Sequence, residues 1–165
     1  MKVLAIDAST KSTGVALFED TKLIKYNCLT ASSNDLIKRI QKIVFQLKQF
    51  IENENIDKII LEEVRPEDKV QNIKTHRALM WLQAAIAFLM HELHPKATIE
   101  YVYPSEWRAK CGIKNGRGVR REAAKENDIK FVKDTYNITV NDDIADAIGI
   151  GHAYVHQLDN EINWE

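Results

Sequence analysis

Val3-Leu4-Ala5-Ile6-Asp7-Ala8-Ser9-Thr10-Lys11-Ser12-Thr13-Gly14-Val15-Ala16-Leu17-Phe18 is the stretch on which the fold turns. An apolar run ends on Asp7, a small polar run follows, and from Thr13 the chain turns apolar again. That pattern reads as strand, tight turn, strand: a hairpin with an acid at the tip of its first, buried strand. An ionised carboxylate in that place is costly unless something positive sits beside it. Two readings of Asp7 stay open on this stretch alone. It caps the turn by accepting backbone N–H bonds from Ser or Thr, or it serves metal or phosphate chemistry.

Working outward, Lys22 to Leu29 reads as a third strand, its edge softened by Lys22 and Lys25. Ser32, Ser33 or Asn34 offers a cap for a helix. Leu36, Ile37, Ile40, Ile43, Val44, Leu47, Phe50 and Ile51 then recur at helical spacing, with Lys38, Lys42 and Lys48 facing out. Lys58-Ile59-Ile60-Leu61 is a further buried strand that ends on Glu62-Glu63-Val64, and Pro66 stops it. A long helix is expected over Val70 to Leu93. Twelve of the thirteen residues from Ala78 to Met90 are apolar, so this helix is greasy all round. Such a helix is either wrapped by its own domain or shared with another subunit, and the short chain favours a dimer face.

Thr98 to Val102 reads as a fifth strand, and Pro104-Ser105-Glu106 starts a short helix that Gly112 ends. A flexible loop, Gly112 to Gly118, leads into a helix from about Val119 to Tyr136. Asn141-Asp142-Asp143 caps a last helix carrying Ile144, Ala147, Ile148, Tyr154, Val155 and Leu158. The order β-β-β-α-β-α-β followed by helices predicts an α/β fold. Three antiparallel strands and then parallel ones form a five-stranded mixed sheet flanked by helices.

The bulk composition fits one soluble domain. The chain has 165 residues, 45% apolar and 28% charged, with a net charge of −1. That length buries a real core, and the balance gives no global basic signature for nucleic acid. A local one exists. Between Arg108 and Lys125 stand Arg108, Lys110, Lys114, Arg117, Arg120, Arg121 and Lys125 against the single acid Glu122, so the rest of the chain is net negative. Cys28 and Cys111 lie far apart, in no metal-like spacing, which suggests a reducing compartment. Met1-Lys2 leads straight into the first strand, so no signal peptide is expected. No apolar run is long enough to span a bilayer. A cytoplasmic location is expected.

Four acids belong together. Asp7 and Glu62 end two strands that lie side by side at the centre of such a sheet, and Asp143 and Asp146 share one face of the last helix. Carboxylates so gathered repel unless cations hold them, and an oxygen-rich site suits Mg²⁺ or Mn²⁺. Two such ions about 3.5–4 Å apart activate a water and stabilise the leaving oxygen in phosphodiester hydrolysis. Taken alone, Asp143 and Asp146 also fit a helix cap and a first-turn acid favoured by the dipole.

Ile6-Asp7 with Ser9 and Thr13-Gly14-Val15, then Leu61-Glu62-Glu63-Val64, then Asp143-Ile144-Ala145-Asp146-Ala147-Ile148 resemble the three acidic motifs of RuvC-type Holliday junction resolvases. These belong to the ribonuclease-H-like superfamily. The resemblance covers nearly the whole chain, including the long helix and Pro104, Trp107 and Arg108 ahead of the basic loop. It implies a homodimeric, Mg²⁺-dependent endodeoxyribonuclease of the crossover-junction type, acting in DNA recombination and repair. Four-way junctions, and by extension forks and flaps, are the implied DNA partners. Asp7, Glu62, Asp143 and Asp146 are then the catalytic metal ligands, with Mn²⁺ able to substitute. Motif register selects Glu62 over Glu63 and Asp143 over Asp142; strand alternation adds that Glu62 and Glu63 point opposite ways. Arg108, Lys110, Lys114, Arg117, Arg120 and Arg121 are the expected DNA-binding residues. The chain's length points to a compact, phage-type member.

Two positions depart from the family pattern. Ser9 stands where the family usually has Gly, and Arg65 stands where many members carry an aromatic that wedges into the junction centre. Three other readings fit the sequence less well. A ribonuclease H acting on RNA–DNA hybrids lacks the terminal helix motif and the all-apolar helix. An actin-like-fold ATP-binding protein needs a second phosphate hairpin and a Gly-rich adenosine motif, neither of which is present. A non-catalytic junction-binding module would leave the acid set idle. His152 and His156, four apart, read as a half-exposed helix face before a metal pair. His76, His91 and His94 show no partner pattern. Trp81 and Trp107 read as packing residues, and nothing is assigned to Trp164.

Overall fold

β1 (Lys2–Asp7) and β2 (Ser12–Glu19) form the expected antiparallel hairpin, with Asp7 opposite Gly14. The computed structural model describes residues 1–64 and 73–162. Arg65, Pro66, the first residues of the expected long helix and Trp164 lie outside the described residues. β3 (Lys22–Thr30) pairs with β2, antiparallel, with a register shift between Leu17 and Phe18. After α1 (Leu36–Phe50), β4 (Lys58–Glu62) joins β1 in parallel, with Ile6 beside Leu61. α2 (Ile73–Leu93) leads to β5 (Thr98–Val102), parallel to β4. Three helices close the described chain: α3 (Pro104–Lys110), α4 (Arg121–Tyr136) and α5 (Asp142–Ile162). The sheet runs β3-β2-β1-β4-β5, the five-stranded mixed sheet expected.

Both faces of the sheet are covered, and strand alternation explains how. Leu4, Ile6, Val15 and Leu17 point to one side, where Ile40, Ile43 and Leu47 of α1 and Leu82, Ile86 and Met90 of α2 meet them. Val3, Ala5, Ala16, Phe18 and Ile60 point to the other, against Trp107, Val132, Ala145 and Ile148. A strand covered on both sides reads as an unbroken apolar run rather than an alternation, as Val3 to Ile6 does.

The helix termini differ in detail from the sequence reading. The α1 cap is Asp35, not Ser32, Ser33 or Asn34: its Oδ1 accepts from the N–H groups of Ile37 at 2.9 Å and Lys38 at 3.2 Å. Ser33 Oγ instead accepts from the Asp35 N–H. Four consecutive cap-forming residues leave sequence no means of choosing, and the extended backbone at Asp35 decides it. α4 starts at Arg121 rather than near Val119, because Arg120 is extended. Gly116 and Gly118, in the preceding loop, have φ of 100° and 88°, a region that favours glycine.

α2 is not wrapped on all sides. Ala78, Leu82, Ile86 and Met90 form its buried stripe, whereas Met80 is 44%, Trp81 45% and Phe88 69% exposed. Among the described residues no helix is long and apolar enough to cross a membrane.

Candidate metal centre

The hairpin turn is closed by Thr13 rather than by Asp7. Thr13 is fully buried; its hydroxyl donates to the Ser9 carbonyl at 2.6 Å and accepts the Ser9 N–H at 3.1 Å. Ser9 has no positive φ, so this turn does not require a glycine there. Asp7 is therefore free of the capping role that its position suggested. At the start of α5 the Ile144 N–H is taken by Asn141 Oδ1 at 2.9 Å, and backbone N–H groups of the first turn are taken by Asp142.

Three elements bring the acids to one end of the sheet. β1 and β4 are hydrogen-bonded neighbours, which sets Asp7 beside Glu62. The first turn of α5 is laid directly on β2. A Cβ on Gly14 would stand 1.8 Å from the Asp143 carbonyl oxygen, so this approach requires glycine. Asp146 follows one turn later and is largely buried. Asp7 thus lies close enough to Glu62, Asp143 and Asp146 for the charges to act on one another.

The electrostatics carry the mark of that gathering. Burial raises the Asp7 carboxyl well above the ordinary carboxylate range, and the Glu62 and Asp143 charges raise it further. Glu62 is also raised, by burial, against the lowering effect of Trp107 and Arg108. Asp146 is pushed up to about 10 by burial first, then by Asp7 and Asp128. These are the shifts expected of carboxylates that share a site with too little positive charge.

Glu62, Asp143 and Asp146 each have a partner. Trp107 Nε1–H donates to Glu62 Oε2 at 2.8 Å, and the Gln83 amide donates to the Glu62 carbonyl at 2.9 Å. The Ser12 hydroxyl donates to Asp143 Oδ2 at 2.5 Å. Asp146 Oδ2 stands 3.8 Å from Arg108 Nη2, while its Oδ1 is buried and has no hydrogen-bond partner. Among the described residues no three His, Cys, Asp or Glu side chains converge tightly enough to cage an ion as they stand. The donor chemistry is nonetheless all carboxylate oxygen, with one orphaned oxygen in its midst. That fits a hard divalent cation such as Mg²⁺ or Mn²⁺.

The six basic candidates divide into two groups. Arg108 turns inward and forms a two-pronged ion pair with the fully buried Asp128, from Nε at 3.1 Å and Nη2 at 2.8 Å. Lys110 reaches Gln157 at 2.5 Å. Lys114, Arg117, Arg120 and Arg121 are exposed on the loop and the start of α4. Lys125 pairs with Asp142, which ties the basic helix to the first turn of α5 beside Asp143. His152 shares a 2.7 Å hydrogen bond with the Tyr136 hydroxyl, and burial and His156 push it down to about 4.

Sequence reading missed Asp128, Ser12 and Gln83, and it gave Trp107 packing alone. Asp128 sits in a polar helical stretch with nothing to mark it, and its partner is 20 residues upstream. Gln83 carried a signal, as the one polar residue in an apolar run.

No protein-family model and no curated protein sequence matches the chain. Solved structures do. Thermus thermophilus RuvC in complex with a Holliday junction substrate aligns with a TM-score of 0.73 at 15% identity, over 99% of this chain and 96% of that one. The yeast mitochondrial Holliday junction resolvase Ydc2 aligns at 0.60 and 16% identity, over 98% and 80%. Fowlpox virus resolvase with its substrate Holliday junction DNA aligns at 0.56 and 17% identity, over 96% and 99%. The chain therefore has the fold of the RuvC-type resolvases along its whole described length.

Proposed function

We propose that this protein is a structure-selective DNA endonuclease that resolves four-way junctions by metal-dependent phosphodiester hydrolysis. One observation carries the reading: four carboxylates from three elements crowd one sheet end, and their positions in the sequence follow the acidic motifs that the resolvase fold carries. Asp7, Glu62, Asp143 and Asp146 would hold Mg²⁺, or Mn²⁺ in its place. Bound there, the ions supply charge to activate a water and to stabilise the leaving oxygen. The chain's own residues do the rest. Trp107 and Ser12 keep the Glu62 and Asp143 carboxylates oriented, and Gly14 lets α5 approach the strand ends.

Lys114, Arg117, Arg120 and Arg121 support a backbone-reading role. They are exposed, of one sign, and anchored beside the acids by the Lys125–Asp142 pair. Phosphate contacts of this kind position DNA without reading its sequence. The exposed Met80, Trp81 and Phe88 of α2 support a two-fold dimer, in which a substitution acts twice. Two symmetric sites suit a four-way junction, and the cytoplasm, with its DNA and Mg²⁺, suits the enzyme.

A substrate panel tests the reading. With Mg²⁺ present, the protein is expected to cut a four-way junction ahead of a flap and an RNA–DNA hybrid, and to cut nothing in EDTA. Preferential hybrid cleavage would favour a ribonuclease H, and metal-independent cutting would overturn the mechanism. Ala84→Glu, on the exposed side of α2, is expected to give a folded monomer that nicks a supercoiled cruciform without linearising it. A dimeric Ala84→Glu protein that still linearises the plasmid would remove α2 from the interface.

A further inference from the structure

Arg108 is within ion-pair range of Asp146, yet its hydrogen bonds go elsewhere. Its Nε and Nη2 are both directed at Asp128, with 3.1 Å and 2.8 Å bonds, and Nη2 stops 3.8 Å short of Asp146 Oδ2. The guanidinium lies over the Trp107 ring, 4.5 Å from its centroid. Trp107 is seated in turn against Gly149 of α5, where a Cβ would meet the ring at 2.5 Å. Asp128 is fully buried on α4, takes the hydrogen bonds of this guanidinium and lies within hydrogen-bond reach of the Asp146 side chain.

The arrangement has a consequence for the charge balance. A guanidinium fork matches a carboxylate in a two-pronged geometry wherever one is within reach. Without Asp128, Asp146 would be the next carboxylate, and its Oδ1, now buried and unpartnered, would be lost to an ion pair. With Asp128 in place, the Arg108–Asp128 pair is neutral as a unit. The guanidinium spends its hydrogen bonds on Asp128, and Asp146 Oδ1 stays unpartnered.

We propose that Asp128 is a positioning residue that holds Arg108 off Asp146 and so keeps the Asp146 carboxylate open for a metal ion. Arg108 then acts inside the site as a restrained cation rather than as a DNA contact. The proposal rests on the metal-dependent reading above and adds to it a residue outside the acidic motifs.

Mn²⁺ binding to the full chain without DNA, followed by titration calorimetry, is the direct test, with circular dichroism reporting the fold. Asp128→Asn keeps the shape and releases the guanidinium, and its Mn²⁺ affinity is expected to fall about tenfold or more, as for the loss of other supports around metal ligands. The double variant Arg108→Met with Asp128→Asn removes the competing cation as well, and is expected to recover most of that loss. If the single variant does not fold, Arg108→Lys reads the same effect, since lysine keeps the charge and gives up the fork. Equal Mn²⁺ affinity in the folded single variant and the wild type overturns the proposal while leaving the metal site standing. A double variant no better than the single overturns it too, because Asp128 would then act through structure alone. A wild-type chain that takes up no Mn²⁺ overturns the metal reading and this proposal together.

Discussion

The two ends of β1 treat charge in opposite ways. At the Lys2 end every charge is answered. Lys2 Nζ reaches Glu54 at 2.7 Å, Lys25 reaches the same carboxylate at 2.9 Å, and the N-terminal ammonium reaches Asp20 at 2.7 Å. The Lys2 N–H is taken by Asp57. Glu54 is accordingly held below the ordinary carboxylate range by hydrogen bonds to Lys2 and Lys25. At the Asp7 end four acids face one arginine that is already engaged by a fifth acid, and Asp7, Glu62 and Asp146 are raised. One strand, five residues apart, thus carries a solved electrostatic problem and an unsolved one. Perturbed carboxylates of the second kind cluster at functional sites, where stability is traded for chemistry.

The largest effect on this contrast is expected from Gly14→Ala. The added methyl would stand 1.8 Å from the Asp143 carbonyl oxygen, backbone against backbone, with no flexible side chain to give way. Separating α5 from β2 should cost about 3 kcal/mol or more, the upper range for overpacking. Chemical denaturation would measure it. A loss within about 0.5 kcal/mol, the range of ordinary surface changes, would mean that α5 does not rest on Gly14.

Neutralisation at the two ends should then move stability in opposite directions. Asp7 binds its proton more tightly folded than unfolded, so the folded state loses stability as pH rises from the ordinary value of 3.8 through the raised one. Asp7→Asn in EDTA is therefore expected to stabilise the protein at neutral pH by about 0.5–2 kcal/mol, as when a strained functional site is relieved. The gain should shrink as pH approaches 4. Glu54 has the opposite sign: its contribution is complete above its ordinary 4.5 and is lost as pH falls through the depressed folded value. Glu54→Gln is expected to destabilise by about 1 kcal/mol at neutral pH and by less in acid, the smallest effect of the set. Thermal melts across pH 3–8 would check both. A destabilised Asp7→Asn protein would place the unanswered charge elsewhere.

Much of this contrast was legible in the sequence. Apolar runs gave the strands, their order gave the sheet, and the spacing of Asp7, Glu62, Asp143 and Asp146 gave the crowded end. What escaped were choices among chemically equivalent residues. Asp35 caps α1 beside three other residues able to do so, and Thr13 closes the turn that Asp7 could have closed. Arg108 looked like its basic neighbours, because charge density along a sequence does not say which arginine turns inward. The packing of α3 and α4 on the same helix, α5, is what brings it to Asp128. Such long-range pairings leave no periodic trace.

Cleavage of a four-way junction by Glu62→Gln and Glu63→Gln, beside Asp7→Asn and wild type, tests the central claim most directly. The four proteins would be compared at one Mg²⁺ concentration, with junction binding measured in parallel. Glu62→Gln and Asp7→Asn are expected to bind the junction and leave it uncut, because each would remove an oxygen from the proposed ion site. Glu63→Gln, one residue beyond β4, is expected to cut as wild type does. Wild-type rates from Asp7→Asn and Glu62→Gln, with junction binding intact, would contradict the assignment of the acidic sheet end as the catalytic centre.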